Sequence, residues 1–197
     1  MCPHTDTDSL IQLQIIDSIS ISLATFLEGD GSCVETYICP NCSVMGTSFT
    51  KTNITQHPEI LVLQLKRFKQ IAIRTFIKDY TETELNDTLT HNDKSYTLMS
   101  TIVHTGEDIN SGHYINFCRS LYDDENDQSI WYSYDDPKVI SVNQEEALNN
   151  PLSRKSSYIL LYRETARVKE EKEKMSEQRL KNNQKRDSVP YGLKNVG

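Results

Sequence analysis

Five extended runs, at residues 60–68, 96–104, 113–119, 130–134 and 158–162, follow one another with turns between them. Strands of this kind satisfy their backbone groups only by pairing, so the body must be built around a sheet. Pro58 precedes the first run, Ile60-Leu-Val-Leu-Gln-Leu-Lys-Arg-Phe68, which is apolar on both faces at its start and alternates towards its end. That is the pattern of a central strand emerging from a core. A turn rich in Gly, Asp, Asn and Ser joins the second run to the third, and residues 71–94 read as a weaker strand and a polar loop. Ahead of these, Ile11, Leu13 and Ile15 alternate with Gln12 and Gln14 as in a half-buried strand. Ser22 is the expected cap of a short helix carrying Leu23, Phe26 and Leu27, which Gly29 and Gly31 end. The expected class is α+β, mostly antiparallel sheet.

The chain is 197 residues long with a net charge of −7, and the charge is uneven: residues 163–197 carry 10 basic and 6 acidic side chains, against 11 and 22 in residues 1–162. A body this acidic is unsuited to phosphate backbones, which are held by clustered Lys and Arg, and suits a basic partner better. From Arg163 onward Val168 and Met175 are nearly the only large apolar residues before Leu180, so this tail cannot bury a core. Residues 163–183 are expected to form a solvated helix held by Glu-to-Lys pairs, with disorder after Asn183. No run approaches the roughly 20 apolar residues of a membrane span, and the first fifteen residues have neither the basic start nor the apolar stretch of a signal peptide. The expectation is a soluble intracellular protein, cytoplasmic and/or nuclear, that binds neither nucleic acid nor membrane. Five cysteines, an odd number, then read as free thiols or a metal site rather than a disulfide framework.

Two constellations carry chemistry. His113 lies in Ser111-Gly112-His113-Tyr114, at the start of a strand, where the preceding glycine lets the backbone approach a bound chain. About twenty residues on, Trp131-Tyr-Ser-Tyr134 delivers Asp135 to the end of another strand. A carboxylate that fixes a histidine's tautomer forms the base half of a nucleophilic triad. By residue type alone, a structural histidine and a turn at Asp135-Asp136 are the commoner reading. The second constellation is Cys39-Pro-Asn-Cys42, a stiff knuckle in which two thiolates converge on one zinc. Cys33 is close but oddly spaced, and Cys2 and His4 lie 37 and 35 residues upstream of Cys39. Two thiols left by a decayed site are the alternative.

Taken together, 58-Pro-Glu-Ile-Leu-Val-Leu-Gln-Leu-Lys-Arg-Phe-68, Tyr96-Thr-Leu with His104-Thr-Gly106, Gly112-His-Tyr114, 131-Trp-Tyr-Ser-Tyr-Asp-Asp-136 and Tyr158-Ile-Leu-Leu-Tyr162 resemble, in order and spacing, the later motifs of the ubiquitin-specific protease family. The resemblance covers roughly residues 2–163. It implies a papain-like thiol isopeptidase shaped as a hand: a helical thumb and a sheet-built palm hold the site, and zinc-bearing fingers grip ubiquitin. Residues 1–163 would then be a partial catalytic domain, with fingers at about 1–58 and palm at about 59–163, followed by a charged tail at 164–197. His113 matches the family's catalytic base, Asp135 the residue that orients it, and Cys39 and Cys42 the second pair of ligands for a structural zinc. Cys2 would be what remains of the first pair. Ubiquitin, whose C-terminal tail is basic, and ubiquitinated proteins are the implied partners.

The family's nucleophile lies in a Gly-Asn-Thr-Cys segment at the start of a thumb helix, and nothing in this sequence matches it, so the thumb is expected to be absent. Cys118, inside the His113 strand, reads as a buried structural thiol. Three readings follow. The first is deubiquitination, hydrolysis of the isopeptide bond after ubiquitin's C-terminal glycine, with His113 and Asp135 as half of the machinery. The second is a catalytically inactive ubiquitin-binding or scaffold protein. The third is a zinc-knuckle adaptor unrelated to ubiquitin.

Overall fold

The computed structural model describes residues 10–29, 33–49, 51–123 and 128–187. Eight strands form one sheet in the order β1 (Ile11–Leu13), β4 (Ile60–Leu65), β12 (Ser157–Glu164), β8 (Lys94–Thr105), β9 (His113–Asp123), β10 (Ser129–Asp135) and β11 (Lys138–Val142), with β7 (Thr88–His91) beside the first half of β8. All neighbours are antiparallel except β1 and β4. Two hairpins stand apart from it, β2 (Cys33–Ile38) with β3 (Met45–Phe49), and β5 (Phe68–Ala72) with β6 (Thr75–Lys78). The fold is α+β and mostly antiparallel, as the alternation of the strands requires.

One face of the sheet is the core. Leu61, Leu63 and Leu65 of β4, Leu98 and Val103 of β8, Phe117 of β9, Trp131 of β10 and Leu160 and Tyr162 of β12 are buried there. Helix α1 (Ile19–Glu28) lays Ile19, Leu23 and Leu27 into the same cluster, and α2 (Gln144–Leu148) adds Ala147 and Leu148. Helix α3 (Pro151–Ser156) leads straight into β12. Residues 11–28, ahead of the boundary expected near 58, therefore pack with the strands that follow it, since Leu13 pairs with Leu65 and is itself fully buried.

The cap of α1 is Ser18, not Ser22. Ser18 sits in extended backbone at φ −145° and ψ 160°, and its Oγ accepts a hydrogen bond from the Ile21 amide, as an N-cap must. Ser22 lies one turn into the helix, buried, and its hydroxyl accepts instead from the Ile16 amide. Gly29 ends the helix at φ 86°, a conformation favourable to glycine.

The run at 60–68 is broken after Leu65. Arg67 is wholly buried, and its guanidinium donates to the carbonyls of Ser157, Asp79, Thr81 and Arg154, which turns the chain out of the sheet so that Phe68 opens the β5–β6 hairpin. The weak segment at 71–94 thus holds two hairpin turns, at Arg74 and Asn92, both with positive φ. Strand β11 and helices α2 and α3 are features that periodicity left unread. Each is five or six residues long, too short to show a period, though α2 carries a capping box between Asn143 and Glu146.

After β12 the chain forms α4 (Thr165–Asp187), four residues longer than the expected end at Asn183; residues 188–197 lie outside the described residues. The helix is fastened mainly at its start, with one later contact to β9. Val168 is 4% exposed, Arg163 pairs with both Glu59 and Glu171, and the Arg179 guanidinium lies 4.4 Å from the centre of the Tyr122 ring. No helix among the described residues is long and apolar enough to cross a membrane.

Candidate functional site

Strand alternation places His113, Ile115, Phe117 and Arg119 on the core side of β9, and Asp135, Ser133 and Trp131 on the same side of β10. The apolar core ends at the partly buried Ile115, so His113 and Asp135 project from the open edge of that face. There the Nε2 of His113 meets Oδ1 of Asp135 at 2.5 Å. Asp135 closes β10, and Asp136-Pro137 form the turn into β11, with Asp136 at φ 51°. The two acidic residues therefore divide the work: one faces the histidine and the other makes the turn.

A carboxylate only accepts, so the proton of a neutral His113 resides on Nε2 and Nδ1 keeps its lone pair. That is the arrangement a general base needs. The hydrogen bond that His113 donates to Asp135, opposed by partial desolvation and supported by the charge of Asp136, holds the imidazole above the ordinary histidine range. Both side chains are more than 40% exposed, so solvent screens this pair. His113, Asp135 and Asp136 also place one potential ligand atom each within 4.8 Å of one another.

The loop between β8 and β9 is narrow at its neck. Gly106 and Gly112 both have positive φ, and a side chain on Gly106 would come within 3.0 Å of Gly112 Cα. On Gly112 a Cβ would lie 2.2 Å from His104 Nε2 and 2.4 Å from the Thr105 carbonyl oxygen. Glycine before His113 is thus required by the approach of another part of the protein itself. His104 is 2% exposed and meets Phe68 edge-on and Tyr114 at a tilt. Lys78, at the end of β6, reaches the same ring. No sequence pattern singled out Lys78, which lies 26 residues from His104. The available signal was a lone cation closing the apolar pair Phe76-Ile77.

The thiols lie elsewhere. Cys118 is five residues along β9 from His113, an odd spacing that turns it to the opposite face, about 16 Å away at strand rise. It is half-buried rather than buried, and burial pushes its thiol above the ordinary cysteine range, which disfavours the thiolate. Cys39 and Cys42 bracket the turn between β2 and β3, held by bonds from the Cys39 amide to the Val44 carbonyl and from the Ser43 amide to the Cys39 carbonyl. Cys39 is buried and Cys42 exposed. Cys33 is at the far end of β2, about 20 Å from the turn, so it cannot share a metal with them. Cys2 and His4 lie outside the described residues. Among the described residues no third His, Cys, Asp or Glu joins Cys39 and Cys42 within metal-binding reach, where a structural zinc takes four ligands.

The model of the family described as ubiquitin carboxyl-terminal hydrolase matches residues 17–162. Ubiquitin carboxyl-terminal hydrolase 9 of Saccharomyces cerevisiae is 31% identical over 149 residues, covering 70% of this chain and 19% of that protein. Ubiquitin carboxyl-terminal hydrolase 46 of Caenorhabditis elegans is 30% identical over 143 residues, covering 67% of this chain and 32% of that one. Among solved structures, a SAGA DUB module of Ubp8, Sgf11, Sus1 and Sgf73 bound to monoubiquitin matches with a TM-score of 0.52 and 25% identity, over 78% of this chain and 34% of that one. The chain spans about a third or less of each of these relatives. The matched segment includes the buried strands, the glycine neck, His113 and Asp135, and on that ground the chain belongs to the ubiquitin carboxyl-terminal hydrolase family.

Proposed function

We propose that this chain supplies the base half of a deubiquitinase, a thiol hydrolase that cleaves the isopeptide bond after the C-terminal glycine of ubiquitin. The observation that carries this reading is the 2.5 Å contact between His113 Nε2 and Asp135 Oδ1 at the open end of the core face. His113 takes the proton of an attacking thiol at Nδ1 and returns it to the leaving amine, while Asp135 holds the ring and stabilises the imidazolium. Ubiquitin and ubiquitinated proteins are the partners of this reading, and the DUB module bound to monoubiquitin supports it. Residues up to about 58 form the fingers, except that 11–28 pack with the palm at 59–163, and 164–197 form the tail. Cys39 and Cys42, with Cys2, hold a structural zinc that would tie the knuckle to the segment before β1. The setting is intracellular, cytoplasmic and/or nuclear.

A second reading, a ubiquitin-binding protein without catalysis, is favoured by one observation: among the described residues no cysteine shares the face of His113. Two experiments separate the readings. The 197-residue chain, incubated with a fluorogenic ubiquitin substrate, should bind ubiquitin and show no turnover, because the attacking atom must come from another segment. Native protein, captured from its own cells with an antibody to residues 10–187, should react with a thiol-reactive ubiquitin probe and turn substrate over, and a His113→Ala version should not. Binding without turnover in both preparations selects the second reading. Failure of both to bind ubiquitin rejects the two together.

A further inference from the structure

We propose that Lys78 and His104 are positioning residues for His113, a buried clamp that fixes the neck of the loop from which the base emerges. This rests on the reading of His113 as the base. The ammonium of Lys78 has three protons and spends all of them here: on the His104 carbonyl at 2.5 Å, on the Gly106 carbonyl at 2.8 Å and on Nδ1 of the His104 ring at 3.2 Å. The hydroxyl of Tyr80, two residues on, donates to the same Gly106 carbonyl, and its ring lies 5.1 Å from the ammonium. Lys78 is 9% exposed and makes no ion pair with a carboxylate among the described residues. An ammonium buried beside neutral acceptors is costly unless every proton is used.

The geometry runs from this ammonium to the base in two short steps. A lysine cannot accept, so Nδ1 of His104 must be the accepting nitrogen, which places the ring proton on Nε2. That edge of the ring faces the other side of the neck, where the Ser111 backbone bonds the ring and Gly112 lies so close that even a Cβ would collide with Nε2. Burial and the neighbouring cation both hold His104 below the ordinary histidine range, so the ring stays neutral and keeps this single tautomer. Phe68 and Tyr114, with ring centres 5.5 and 4.9 Å away, hold the ring on its other sides. Residue 113 follows directly on a backbone pressed against a ring that cannot turn. The tip of the loop, residues 107–111, is exposed and contributes little to this rigidity. A base displaced by an ångström loses its reaction geometry, so a clamp at the neck acts on the chemistry without touching substrate.

The test is made on the 197-residue chain by NMR titration of the His113 imidazole, in the unaltered protein and in Lys78→Met and His104→Phe. Both substitutions keep the apolar bulk and remove the polar clamp. In the unaltered chain, Asp135→Asn should lower the His113 titration point. In both clamp variants, with circular dichroism unchanged, that point should fall towards the ordinary histidine value and lose its response to Asp135→Asn. In native protein the same variants should lower kcat at least tenfold and leave KM within twofold. A His113 still coupled to Asp135 in folded Lys78→Met and His104→Phe overturns the clamp alone. An unaltered chain in which His113 ignores Asp135→Asn overturns the catalytic reading instead. Loss of the fold in both variants would assign the pair to the sheet rather than the loop, and would overturn the proposal too.

Discussion

Arg67 shows how one side chain can shape a fold without a counter-charge. Its four bonds to carbonyls of two separate segments, 79–81 and 154–157, need the planar fork of a guanidinium, and burial pushes its pKa down to about 10. Arg67→Met leaves those acceptors dry, and should cost roughly 3 kcal/mol, read from urea unfolding through the fluorescence of Trp131, the single tryptophan. Arg67→Lys should recover only part of this, since an ammonium has three donors. At His113 the sign of the pH effect follows from the raised value. The folded state favours the imidazolium, so the pair's contribution to stability is complete below the ordinary histidine range and is lost as pH rises through the folded value. A base must be neutral, so activity of the native protein should rise with pH over that same higher window. Asp135→Asn should shift the rise to lower pH and reduce kcat about a hundredfold or more; an unmoved pH profile would show that Asp135 does not orient the base. Both residues were visible in the sequence as motif members. Asp135 was legible beside His113 for the same reason, but the partners of Arg67 were not, because Arg154 and Ser157 lie 87 and 90 residues away.

Among the elements, α4 is the one whose form and attachment have different causes. Its charged sequence supports a helix by pairs three or four apart, such as Arg167 with Glu170 and Lys181 with Glu177, each worth little on its own. What mainly holds it to the sheet is its first turns, with Val168 buried, Thr165 bonded to Thr97 and Arg163 gripping Glu171, while the later Arg179 contact with Tyr122 is a single surface contact. Hydrogen exchange should therefore find slow amides up to about Glu171 and fast ones beyond Met175. Val168→Asp should make the whole helix fast while the sheet stays protected, and uniform protection along α4 would contradict this account. The helix was legible from composition; its docking was not, since one valine in a polar stretch has no period to reveal it. The opposite case is β4, whose alternation announced a central strand but whose end was set by the pull of Arg67 on the chain.

At the scale of the whole molecule, the knuckle between β2 and β3 tests whether the parts are tied together by metal. If Cys39 and Cys42 share a zinc with Cys2, the purified chain should contain about one zinc, and a chelator should lower its unfolding midpoint. Metal-free protein whose unfolding is unaffected by Cys39→Ala would leave the pair as two thiols without a common task. The sequence by itself determined what depends on near neighbours: the five extended runs, the glycine-rich turn before His113, the charged tail and the motif order that marks the family. These follow from alternation and turn chemistry, which act over a few residues. Only the tertiary structure decided which distant residues share a face. It laid β1 parallel to β4, 52 residues away, turned Cys118 from His113, and brought Lys78 under the loop that carries the base. Such pairings depend on strand register and on the desolvation of buried polar groups, which are fixed jointly by segments far apart in the chain.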